Sequence, residues 1–323
     1  EDLDRIISQN MSNLAAIPSD AGSMSTNVSN AVNYGQNHPY GEIMTEKTLA
    51  NITLEDVKAF YNKNFIPNHA YLIVVGDVTK DDVKGYVGDY FENWKKGEDL
   101  KKQDYVVPQT KGKNVYFVNK PGAVQSVINI THNVNLTPGH EDAIKLSLLN
   151  QILGGGSFSA RLMSNLREDK AYTYGCYSSI SSDPLIGSFT AGGSFRNEVT
   201  DSAITQILAE IVRISNDLVT DKELELVKKS MTGAFARSLE NPQTVARFAL
   251  NSIRYNLPGD YYSNYLLKLE RITKEDLLMV ANEYLTPDNI NIVVVGNEEI
   301  TENLNIFDQD EKIDFKNYYG EDV

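Results

Sequence analysis

The chain has 323 residues and a formal net charge of −14, and 41% of its residues are hydrophobic while 23% are charged. Its length exceeds that of one ordinary core and predicts two domains, and it contains no apolar run of about eighteen residues, the length needed to span a membrane. The acidic balance argues against a nucleic-acid surface, which needs clustered Lys and Arg, and the single cysteine, Cys176, excludes an internal disulfide.

The sequence of residues 1–96 predicts several helices followed by one strand. The N-terminal stretch DLDRIISQNMSNLAA has the apolar spacing of a helix. In the stretch ITLEDVKAFYNKNFIPNHAYLIVVG, residues 52–76, Thr53 predicts a helix N-cap and Pro67 predicts the end of that helix. The apolar run that follows predicts a buried strand, whose core residues are Ile73, Val74 and Val75.

Residues 97–113 are charged, contain a proline and lack apolar periodicity, which is typical of a linker between domains. Residues 114–323 have the apolar patterns of further strands and helices. The predicted elements are strands that begin at Val115 and Val124, a helix over 140–153, a short helix from Ser157 through Arg167, strands over 172–180 and 186–194, and a helix over 199–218.

The stretch ITKEDLLMVANEYLTPDNINIVVVG, residues 272–296, repeats residues 52–76 without a gap. Nine of the twenty-five positions are identical at a constant offset of 220, and Val293–Val295 are therefore expected in the core. The repeat predicts an α+β fold with two repeated domains, each a mostly antiparallel sheet with helices on one face. The front of the second copy has no partner in the first, so residues 1–96 are interpreted as the C-terminal half of a first domain and residues 114–323 as a complete second domain.

Two motifs of the chain resemble the pitrilysin/insulinase family of zinc metallopeptidases. LGGGSFSARLMSNLREDKAYTYG, residues 153–175, is similar to that family's glycine-rich segment and the helix after it. NHPYGE, residues 37–42, is similar to a turn near the end of the family's first domain. The resemblance implies a peptide or protein substrate and a homo- or hetero-dimer with a family member. A periplasmic or secreted location is expected by the same analogy.

The family's enzymes carry an HxxEH box, in which two histidines bind zinc and a glutamate activates water, while a more distant glutamate is the third ligand. This chain contains no such box, and the resemblance places it ahead of Glu1. The third ligand is expected on the helix around Ile6–Ala16, which has no acid, and Glu1 or Asp2 could take that place only if the alignment shifted by about two turns of helix. We therefore expect no catalytic residue and no metal ligand in this chain, although zinc is the family's cofactor. The four histidines of the chain are His38, His69, His132 and His140, and no two of them have i,i+4 spacing.

The resemblance assigns substrate binding to Arg167 and Tyr174, which match an arginine and a tyrosine of the family's second domain. A guanidinium and a phenol both donate hydrogen bonds to peptide carbonyls. The alternative is that Arg167 pairs with an adjacent acid, Glu168 or Asp169, and that Tyr174 fills a half-buried strand position. The tyrosines at 172, 174 and 177 are more typical of a packed strand face than of a ligand cleft. The glycines at 154–156 predict a tight turn rather than a phosphate loop, because no Lys follows them.

Two classes of function follow from these motifs. The first is a non-catalytic partner, or half, that binds extended peptides and supplies Arg167 and Tyr174 to a zinc site elsewhere. The second is a fragment of an active zinc-dependent endopeptidase whose metal site precedes residue 1. A purely structural role, as in the family's members of respiratory complexes, is disfavoured because the Arg and Tyr pair is present.

Overall fold

The computed structural model describes residues 1–99, 101, 103–156 and 158–323. Among these residues, no helix combines the length and apolar character needed to cross a bilayer. The α-helices are α1 (Asp2–Ala16), α2 (Ala21–Tyr34), α3 (Glu46–Ala50), α4 (Leu54–Asn64), α5 (Lys80–Phe91), α6 (Ala143–Leu153), α7 (Thr200–Asn216), α8 (Asp221–Ser238), α9 (Pro242–Arg254), α10 (Tyr265–Arg271) and α11 (Lys274–Tyr284), and a π-helix spans Met163–Asp169. The strands are β1 (Lys113–Asn119), β2 (Gln125–Val134), β3 (Thr173–Ser181), β4 (Gly187–Arg196), β5 (Ile290–Gly296) and β6 (Ile313–Phe315).

All six strands form one sheet in the order β3-β4-β2-β5-β1-β6. β2 pairs antiparallel with β4 and β5, and β3 pairs antiparallel with β4, whereas β1 pairs parallel with β5 and β6. Helices α6, α7, α8 and α11 lie on one face, where buried side chains such as Phe117, Ile130, Leu149 and Ile207 form the main core. The expected α+β fold is confirmed.

The two copies of the repeat form the same capped helix. α4 and α11 begin and end at positions 220 residues apart. Thr53 accepts a bond from the Asp56 backbone N–H and Thr273 accepts one from that of Asp276, and each aspartate carboxylate bonds back to its threonine. These reciprocal bonds satisfy backbone donors that a helix start leaves unpaired. The predicted helix starts are confirmed in both copies.

The strands of the two copies differ. In β5 the residues Val293–Val295 are fully buried, as expected. Residues 71–75 form no strand, and Val74 and Val75 are 46% and 44% exposed, so the prediction of a buried first-copy strand is wrong for this structure. β5 is buried because β1 and β2 pair with it on either side. The equivalents of β1 and β2, 220 residues earlier, would precede Glu1.

The other face of the sheet is covered by α2, which comes from the first copy. Met24 and Val28 of α2 pack against Val118, Val293 and Val295 of β1 and β5. This contact joins the two halves of the chain through a small apolar cluster.

A buried polar network extends the same contact. Asn33 Nδ2 donates to Thr131 Oγ1 over 2.8 Å, and Asn291 Nδ2 donates to Asn33 Oδ1 over 2.9 Å. Further along α2, Asn129 Nδ2 donates to Ser29 Oγ over 2.8 Å. Because buried amides need partners, these bonds fix the position of α2 along the strands.

Candidate functional site

Arg167 lies in the last turn of the π-helix, a rare form that is frequent at functional sites. The segment that leads into this helix is fixed by Arg161, whose Nε and Nη2 donate to the Glu223 carboxylate over 2.7 and 3.2 Å. Burial raises the pKa of Glu223, but its bonds from Arg161 and Thr220 outweigh burial and hold that pKa at about 2. The carboxylate therefore stays ionised and the pair intact at neutral pH.

The Arg167 side chain has two neighbours of different kinds. Its Nε lies 3.4 Å from Glu168 Oε1, so the ion pair expected as the alternative is present. Its guanidinium carbon also lies 4.8 Å from the centre of the Phe158 ring. The side chain remains 35% exposed, which leaves donors accessible to a ligand.

Tyr174 projects from β3, the edge strand of the sheet. A bulge interrupts the β3–β4 pairing between Thr173 and Cys176. Thr173 Oγ1 donates to Ser194 O over 2.6 Å and accepts from the Gly175 N–H over 3.0 Å, so the bulge is held by side-chain bonds. Tyr174 is 88% exposed as a result.

Of the three tyrosines expected on a packed strand face, only Tyr172 packs against the main core, and it lies just before β3. Tyr174 is almost fully exposed and Tyr177 is 49% exposed. Successive side chains of β3 point to opposite faces of the sheet, so Cys176 lies on the buried face that the helices cover and Tyr177 lies on the other face. On that other face α2 packs on β2 and β5, away from the edge that β3 forms. The bulge, which the sequence did not reveal, adds Tyr174 to the exposed set.

The predicted tight turn at the glycines is confirmed. A Cβ on Gly154 would lie 2.6 Å from the Ser178 backbone nitrogen, so only glycine allows this approach. Ser178 N–H donates to Gly154 O over 2.9 Å, and Asn150 Nδ2 donates to Ser178 O over 3.2 Å. These bonds also occupy the free edge of β3 at Ser178. The predicted short helix begins at Ser157, which lies outside the described residues. Helical structure is present from Arg161 and continues as the π-helix Met163–Asp169.

The NHPYGE turn joins the first half of the chain to the second through one bond. Tyr40 OH donates to Asp183 Oδ1, in the loop between β3 and β4, over 2.7 Å. His38 is buried among Tyr34, Tyr40 and Tyr105, and its Nδ1 accepts from the Tyr40 N–H over 3.1 Å. Asp183 carried no sequence signal for this contact, because its partner lies far away in the chain.

The histidines do not fit the family's zinc. The ring Nε2 of His132 lies 2.9 Å from Tyr284 O, and the other three lie on separate elements: the NHPYGE turn, the 67–69 turn and the segment before α6. In the described part of the chain, no group of three or more His, Cys, Asp or Glu side chains is arranged to hold a metal ion. No step through zinc follows from these residues.

Two buried histidines should make the fold sensitive to acid. Burial lowers the pKa of both His38 and His132 below 6.5. The unfolded chain then binds more protons as pH falls below 6.5, so the stability that the neutral rings provide is complete above that pH and is lost below it. We expect the free energy of unfolding to fall by at most about 1.4 kcal/mol per pH unit for each histidine.

Urea denaturation between pH 7.5 and 5 measures this effect. His132→Gln should flatten the pH dependence, because Gln keeps a donor for Tyr284 O without titrating. Thr26→Ala, at an exposed position on α2, removes no titrating group, so it is the control and should leave the slope unchanged. An unaltered slope in His132→Gln would show that this ring does not govern acid stability.

Comparison with known proteins finds relatives among peptidases. The family model described as "Peptidase M16 inactive domain" matches residues 51–231. The uncharacterized zinc protease YmxG of Bacillus subtilis is 30% identical over 263 residues, which cover 79% of this chain and 61% of that protein. The zinc protease PqqE of Helicobacter pylori is 29% identical over 257 residues, which cover 76% of this chain and 56% of that protein. The chain thus spans less than two thirds of either relative.

A solved structure has a similar fold over most of this chain. The crystal structure of a peptidase M16 inactive domain from Pseudomonas fluorescens superposes with a TM-score of 0.83 at 25% identity, covering 92% of this chain and 70% of that one. The superposition therefore covers more of this chain than residues 51–231, the part that the family model matches.

Proposed function

Because this chain belongs to the peptidase M16 family, we propose that it is a non-catalytic member that binds extended peptides and supplies Arg167 and Tyr174 to a zinc site carried elsewhere. Its match to the family's inactive domain supports the proposal. We keep the interpretation of residues 1–96 as half of a first domain, joined through the linker 97–113 to a complete second domain. A periplasmic or secreted location stays part of the proposal and rests on resemblance alone.

The observation that carries the proposal is the joint exposure of Arg167 and Tyr174. Between them the backbone turns tightly, since Tyr172 N–H donates to Leu166 O over 2.9 Å and Ala171 N–H to Arg167 O over 3.2 Å. The arginine and the tyrosine therefore stand on neighbouring elements at one edge of the sheet. A guanidinium and a phenol together offer several donors to the carbonyls of one extended peptide.

A second surface fits the other half of the first domain. Residues 54–94 expose many large apolar side chains, an amount typical of interaction sites. Residues 71–75 in this surface correspond to β5, which in the second copy has a strand on either side. Strands of the other half of the first domain would lie beside residues 71–75 in the same way. Among the exposed side chains are Phe60, Tyr61, Phe65, Leu72, Tyr86 and Tyr90.

The alternative is that this chain is part of an active zinc-dependent endopeptidase. The span of 61% and 56% of two relatives named zinc proteases favours that possibility. An HxxEH box encoded ahead of Glu1 would support this alternative, and its absence from the gene would support the partner role.

Complex formation tests the partner role. The purified chain, mixed with a zinc-bearing M16 protein of the same organism, should elute from size-exclusion chromatography as a stable complex. Separate elution of the wild-type proteins would contradict the proposal.

A further inference from the structure

We propose that Phe158 is a positioning residue for Arg167, and that its ring holds the guanidinium ready to bind the carbonyls of a peptide. The inference rests on the proposed function, since it concerns how the peptide-binding arginine is held. It adds a residue of the glycine-rich turn to the site, which otherwise consists of Arg167 and Tyr174.

The contact between Phe158 and Arg167 leaves the hydrogen-bond donors of the arginine free. The guanidinium carbon lies 4.8 Å from the ring centre, within the range of a cation–π interaction. A ring engages the face of the guanidinium, whereas its N–H groups point outward in the plane. The ion pair with Glu168, by contrast, directs one donor at a carboxylate over 3.4 Å and joins two partly exposed groups, so it contributes little.

The glycine-rich turn keeps Phe158 near the arginine. Gly154 is bonded to Ser178 of β3, and the N–H groups of Gly154 and Gly155 both donate to Asn150 O at the end of α6. Gly156 has a φ of +103°, a backbone conformation that favours glycine. One strand therefore both anchors the turn that carries Phe158 and carries Tyr174.

The Phe158 ring is 67% exposed, so burial contributes little to holding it in place. Its position over Arg167 is not required by the core, because the ring contributes to neither buried cluster. A contact with the guanidinium is the interaction that the described structure gives this ring.

The test is fluorescence anisotropy of fluorescein-labelled β-casein, an unfolded protein, titrated with the full chain and its variants. Phe158→Leu keeps an apolar side chain but removes the ring, and should weaken binding about two- to fivefold. Phe158→Tyr keeps the aromatic face and should bind like the wild type. The melting temperatures of both variants should match that of the wild type, because the ring lies outside the core.

Arg167→Ala separates the failure of this inference from that of the proposed function. If Arg167→Ala loses binding while Phe158→Leu binds as the wild type does, the positioning role is wrong and the proposed function stands. If Phe158→Tyr is as weak as Phe158→Leu, the aromatic face is not what matters and the inference is again wrong. If the wild type does not bind, or if Arg167→Ala binds as tightly as the wild type, both are overturned.

Discussion

Arg167→Ala is expected to weaken binding of labelled β-casein about ten- to hundredfold. A hydrogen bond from a charged group contributes about 1.5–3 kcal/mol, and each 1.4 kcal/mol changes affinity tenfold. The Arg167 guanidinium is partly exposed and touches only Glu168 and Phe158 among its charged and aromatic neighbours in the described structure, so its removal should leave the fold intact. Arg167→Lys should recover part of the loss, because it restores the charge without the planar fork.

Arg5→Ala is the matched control for this loss. Arg5 lies on α1, is 68% exposed and has an exposed acidic neighbour, Asp2, at 3.9 Å, so its environment resembles that of Arg167. Its removal alters the net charge equally but should not change binding. Equal losses in the two variants would attribute the effect to charge in general and would contradict the assignment of Arg167 as a peptide-binding residue.

Asn33→Ala is expected to lower the free energy of unfolding by about 2–4 kcal/mol. Asn33 is 3% exposed and bonds to Thr131 and Asn291, which are themselves 0% and 2% exposed. Truncation leaves Asn291 Nδ2 with only a 3.3 Å contact to Thr110 Oγ1. A buried polar group that loses its partner costs about 1–3 kcal/mol, and two groups lose one here.

Urea denaturation at pH 7.5 measures this change. Thr26→Ala, at an exposed position on the same helix, is the control and should change stability by less than about 0.5 kcal/mol. A double-mutant cycle of Asn33→Ala with Asn291→Ala should show coupling, because the pair shares a bond. Additive losses would mean that the amides do not interact in solution and that α2 is held by its apolar contacts alone.

Local signals in the sequence predicted much of this fold. The helix starts at Thr53 and Thr273 were correct because a capping box depends on residues three positions apart. The turn at Gly154 was correct because only glycine permits the close approach to β3. The predicted strands in 114–323 are present because their apolar runs find partners within the same segment.

What the sequence missed depends on contacts between distant residues. The run at 71–75 has the pattern of β5, but no strand lies beside it among the described residues, so the apolar pattern alone did not determine whether the run is buried. The exposure of Tyr174 follows from a bulge opposite β4, and the contact of Phe158 with Arg167 follows from how the turn and the π-helix meet. Neither is encoded in a short motif.

We propose that this chain holds no catalytic zinc and contributes Arg167 and Tyr174 to a site completed by a family member. The decisive experiment is elemental analysis of the purified chain, together with cleavage of a quenched fluorescent peptide. We predict no stoichiometric zinc and no cleavage by the chain alone, and cleavage in the mixture with its zinc-bearing relative that Arg167→Ala abolishes. Stoichiometric zinc and chelator-sensitive cleavage by the chain alone would contradict the claim.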